Sequence, residues 1–83
     1  MKFVICAVRD AKAEAYSMPF FSQTRGAAIR SFADECSRSD SSLNKHPEDY
    51  CLFHLGSFDD NTGQVMPLDQ PEQIARALDN SVS

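Results

Sequence analysis

The chain has 83 residues and a mass of 9.2 kDa, a length that makes one domain (1–83) and buries only about 60% of the unfolded chain's surface. Its formal charge of −4 and isoelectric point near 4.9 exclude a histone-like protein that grips nucleic acid by bulk electrostatics. Three cysteines, Cys6, Cys36 and Cys51, lack CxxC spacing and exclude a disulfide-scaffolded secreted domain; they read as reduced thiols packed as small apolar side chains.

Phe3 to Val8 is continuously apolar and rich in β-branched residues, the pattern of a strand covered on both faces in the middle of a sheet. The run stops at Arg9, too soon for the apolar core of a signal peptide or for a membrane span, so no membrane partner is expected. Met18 precedes Pro19 and is pushed away from helical angles, and Phe20 and Phe21 follow; a short second strand is expected around 16–22. Ser22 or Thr24 caps a helix over 24–37, whose Ala28, Ile29, Phe32, Ala33 and Cys36 recur at helical spacing.

Serine-rich sequence from Ser37 onward ends that helix, because these side chains bond to their own backbone, and 37–47 is expected to be a mobile loop. Tyr50 to Phe58 is the longest strand candidate, and Asp59-Asp60-Asn61-Thr62-Gly63 is a hairpin turn closed by Gly63 at positive φ. Gln64-Val65-Met66 returns antiparallel until Pro67 stops the pairing. Pro71 suits the first position of a helix, and Ile74, Ala75 and Leu78 form its apolar face before a frayed tail at 80–83. The expected fold is α+β: a small three- to four-stranded, mostly antiparallel sheet with one main helix packed on it and a short C-terminal helix.

Charge is uneven along the chain. Residues 1–46 hold seven cations and five acids, a net of +2, whereas 47–83 hold one cation and seven acids, a net of −6. The chemistry-bearing residues form no catalytic pattern. Cys51 and His54 stand three apart on a strand, so their side chains leave opposite faces and make neither a nucleophilic pair nor, with His46 and Cys36, a zinc set. The three glycines form no phosphate loop, and Asp59-Asp60 is what a turn uses. Neither enzyme activity nor a cofactor is expected.

Four segments carry a family resemblance: Asp10-x-Lys12-x-x-x-Tyr16-x-x-Pro19-Phe20-Phe21, Ala28-Ile29-Arg30-x-Phe32-x-Asp34, His46-Pro47-Glu48-Asp49-Tyr50-x-Leu52, and Leu55-Gly56-x-Phe58-Asp59-Asp60-Asn61-Thr62-Gly63. In this order the chain resembles the small non-structural protein of the gokushovirus branch of the Microviridae, tailless icosahedral bacteriophages with circular single-stranded DNA. The resemblance implies an early protein of viral DNA replication in the host cytoplasm, described as DNA-binding or as a counterpart of the microviral C protein. That counterpart is associated with the switch from duplex replication to single-strand synthesis and packaging. The family pattern brings no catalytic residues with it.

Two functions are therefore in view. In the first, single-stranded DNA is bound by cations flanking stacking aromatics: Lys12, Arg25, Arg30 and Lys45 form one rim, and Tyr16, Phe20 or Phe21 offers a ring. In the second, the domain docks on a partner, namely the viral replication protein, a host helicase or a procapsid, without touching DNA. The small core also leaves room for a homo-oligomer.

Overall fold

The computed structural model describes residues 1–80. Five strands form one antiparallel sheet: β1 (Lys2–Asp10), β2 (Ala15–Tyr16), β3 (Phe20–Ser22), β4 (Tyr50–Asp59) and β5 (Val65–Arg76). β1 is central, pairing with β2 and β3 along one edge and with β4 along the other, and β4 pairs in turn with β5. The expected single strand at 16–22 is two short strands, because Ser17 interrupts it. Its backbone N–H donates to the Val8 carbonyl at 2.7 Å while its Oγ accepts from the Val8 N–H at 3.0 Å. The sheet therefore exceeds the three to four strands expected.

Helix α1 (Arg25–Cys36) starts where Thr24 Oγ1 accepts from the Ala27 N–H at 3.0 Å and ends at Ser37. It lays Ala28, Phe32 and Cys36 on Cys6, Leu52 and Ala77, all buried, with Val4, Val8, Phe20, Ile29 and Tyr50 packed around them. The serine-rich stretch carries a single helical turn, α2 (Ser42–Lys45), capped by Ser41 Oγ and tied to α1 by the Asn44 amide donating to the Cys36 carbonyl at 2.9 Å.

The C-terminal region departs from expectation. Residues 71–76 continue β5, and the chain then closes in a 3-10 turn over Ala77–Asn80; the short amphipathic helix is not formed. The reason lies in the backbone of β4, whose far edge would otherwise expose a row of unpaired N–H and C=O groups. The prolines are accommodated by irregular register. Pro67 pairs with Gly56, where a Cβ would collide with the Met66 carbonyl and come within 2.9 Å of Pro67 Cα. Pro71 falls in the stretch between the Gly56↔Pro67 and His54↔Glu72 pairs, where the register slips and no ladder partner is required. Apart from Asn80, the expected frayed tail lies outside the described residues.

Candidate nucleic-acid interface

Strand alternation divides the sheet into two unlike faces. Val4, Cys6, Val8, Tyr50 and Leu52 meet the helical layer. The register places Phe3 opposite Phe58, Ile5 opposite Phe21, Ala7 opposite Phe53 and Arg9 opposite Tyr16 on the other face, which no helix among the described residues covers. Rings there touch edge to face: Tyr16 and Phe53 at 5.5 Å between centroids, Phe21 and Phe58 at 5.6 Å, with Phe3 and Phe58 tilted at 6.5 Å. Ile5 and Ala7 between them are buried outside the core cluster, the neighbouring rings being their cover. Tyr16 and Phe21 keep 42% and 55% of their surface exposed, enough for a flat ligand to lie against them.

The electrostatics of this face differ from those of the whole chain. Its paired positions hold Arg9 and Arg76 and no carboxylate. The Arg9 guanidinium lies 5.9 Å from the Tyr16 ring centre, a cation–π arrangement. Arg76 is held by Asp79, with Nη2 donating at 2.8 Å and Nε at 3.0 Å. That contact lowers the Asp79 carboxyl from its ordinary value and raises Arg76. Two acids elsewhere are also partnered: the N-terminal ammonium meets Asp60 at 2.7 Å, and Arg25 meets Glu72 at 2.6 Å. The sequence's basic half and acidic half do not become two lobes, because β1 and β4 lie side by side in one sheet.

The sequence-derived site is split accordingly. Tyr16 and Phe21 join the open aromatic face, while Phe20 turns to the helical side and packs on the core. Lys12 sits in the turn after β1, Arg30 on α1 and Lys45 at the end of α2. Arg25 is committed elsewhere: its Nε donates to His54 Nδ1 at 3.0 Å and its Nη2 to Glu72. Arg25, Arg30 and Lys45 belong to the helical layer, behind the sheet from the aromatic rings, so these three do not share a rim with them. Sequence reasoning assigned Phe3, Phe53 and Phe58 to no site. The signal for them was the alternating phase of Phe3, Ile5, Ala7 and Arg9 against that of Val4, Cys6 and Val8.

Cys36, His46, Cys51 and His54 are not gathered into a metal site. Among the described residues the group brought within 4.8 Å is instead His46, Glu48 and Asp49, at the surface before β4. Burial raises the Cys6 and Cys36 thiols above their ordinary value, as suits inert core positions. No helix among the described residues is long and apolar enough to cross a membrane.

No solved structure matches this chain. Protein ORF5 of Chlamydia phage 1 is similar to it, with 37% identity over 67 residues that cover 76% of this chain and 70% of the relative. That relative is in keeping with the gokushovirus resemblance carried by the motifs. Residues 3–80, which include both faces of the sheet and the helical layer, match the Phage ORF5 protein family, and the chain belongs to it.

Proposed function

We propose that this phage protein acts in viral single-stranded DNA replication in the host cytoplasm, binding the strand without catalysing a reaction. The observation that carries the reading is the uncovered sheet face, with Phe3, Phe53 and Phe58 on its two central long strands and half-exposed Tyr16 and Phe21 beside them. Aromatic faces on a rigid sheet let successive bases stack with little regard to sequence. The paired strand positions of the face also present no carboxylate to a phosphate backbone although the chain is acidic overall, the nearby Asp79 being engaged by Arg76. Arg9 makes no ion pair among the described residues and is free to meet a phosphate.

This reading differs from binding by a cationic rim in a measurable way. With Arg9, and at most Arg76 released from Asp79, one or two phosphates are neutralised. The slope of log K against log salt on a single strand is then about −0.7 to −1.4. The test is fluorescence anisotropy with labelled oligothymidine and its duplex across a salt series. Shallow salt dependence and preference for the single strand support the reading; no affinity for single strands, or a steep slope shared with duplex, overturns it.

A further inference from the structure

On the other side of the sheet, a recess of about 560 Å³ opens between the end of β1, one flank of α1 and α2. Its floor and walls are Val8, Phe20, Phe32, Leu43 and Tyr50, and Tyr16 stands at the margin it shares with the aromatic face. Two carboxylates, Asp10 and Glu35, reach its lining, which contains no Lys, Arg or His. From this geometry we infer that the recess is a docking groove for a protein segment carrying a bulky apolar side chain flanked by Lys or Arg.

Charge selects this occupant. A nucleic-acid backbone is repelled by two carboxylates, whereas a basic segment is attracted by both. The carboxylates are available. Asp10 Oδ1 accepts from the Lys12 and Ala13 N–H groups at 2.9 and 3.4 Å, which leaves its second oxygen for a ligand. Glu35 meets Arg38 at 3.3 Å in an exposed pair with Arg38 61% accessible, a contact of little energy that an incoming cation can replace. The volume is that of a ligand site, and the trough between a strand and a helix suits an amphipathic segment laid along it. Partner and DNA would then be held on opposite sides of one sheet. The groove stands on its own residues and not on the DNA reading.

The experiment uses the full chain and a fluorescein-labelled amphipathic peptide of Leu and Lys, with its Leu and Glu counterpart. The Lys peptide is expected to bind at least about tenfold more tightly than the Glu peptide. Glu35→Lys should weaken it by a similar factor, while the same charge change at exposed Asp69 (Asp69→Lys) should have far less effect. Ser31 is exposed and lines the groove, so Ser31→Trp should block the peptide with the thermal midpoint kept. Equal binding of the two peptides, or equal effects of Glu35→Lys and Asp69→Lys, overturns the proposal. It also fails if sedimentation finds a dimer that Ser31→Trp dissociates, since a second copy then fills the groove. Loss of oligothymidine binding in Ser31→Trp would make the groove a nucleic-acid surface and overturn it likewise. Retention of that binding beside loss of the peptide separates the two sites.

Discussion

Arg25 Nε lies 3.0 Å from His54 Nδ1, and the two groups settle each other's role. A guanidinium N–H can only donate, so Nδ1 is the acceptor and the proton resides on Nε2, which donates to the Gly56 carbonyl at 2.8 Å. The buried imidazole is therefore neutral and locked between α1 and the irregular part of β4. Arg25→Met leaves Nδ1 without its donor and should cost about 1–3 kcal/mol in chemical denaturation. Because Arg25 faces the helical layer, oligothymidine affinity should be unchanged. Nitrogen NMR shifts of the imidazole should report the Nε2–H form in the parent chain.

The aromatic face yields a second expectation. Tyr16→Ala and Phe21→Ala should each weaken single-strand binding by about 1–3 kcal/mol, whereas Arg30→Ala and Lys45→Ala should leave it unaltered. The chain has two tyrosines and no tryptophan, and Tyr50 packs beside the core, so quenching of tyrosine emission by oligothymidine should track Tyr16. Tyr16→Phe should abolish most of the quenching and keep the affinity. Quenching that survives in Tyr16→Phe would place the contact elsewhere.

Phe32 is 3% exposed at the centre of the contact between α1 and the sheet. Its truncation in Phe32→Ala should cost about 3–5 kcal/mol and unfold the domain, read as the loss of a cooperative thermal transition. An unshifted midpoint would mean that another face of α1 carries the packing.

Two glycines should respond differently to the same change. Gly63 has φ +75° with open space around it, so Gly63→Ala carries the left-handed backbone penalty alone, about 1–2 kcal/mol. At Gly56 the obstacle is the backbone of β5 itself, which cannot yield as a side chain would. Gly56→Ala should therefore cost more and selectively loosen β5, seen as faster amide exchange over 65–76.

The thiols should separate by burial. Cys6 and Cys36 are fully buried with raised pKa, so alkylation of the native chain should modify Cys51 first and reach the other two only on unfolding. The same shift sets a pH dependence. Both thiols favour the native state while protonated, so stability should be retained below their ordinary value of 9.0 and decline as pH rises beyond it. At the acid end Asp79, lowered by Arg76, acts in the opposite sense. Its contribution is present above the ordinary carboxylate value and is lost as pH falls below that value through the lowered one.

Local pattern alone determined β1, α1, β4 and the Gly63 turn. An apolar run, a 3.6-residue stripe behind a capping threonine, and a glycine after a run of turn formers each carry their conformation within a few residues. The return of 64–66 was also legible, but the fate of 67–76 was decided by the tertiary structure, because Pro71 and the Ile74–Leu78 spacing favour a helix locally while the open edge of β4 rewards a strand. The site divided in the same way. Tyr16 and Phe21 were legible as aromatics near cations, but which rings share a face depends on register across four strands drawn from both halves of the chain. Cation spacing in sequence could not show that Arg25 would be spent on His54 and Glu72, since those partners lie 29 and 47 residues away and meet it only once the sheet has closed.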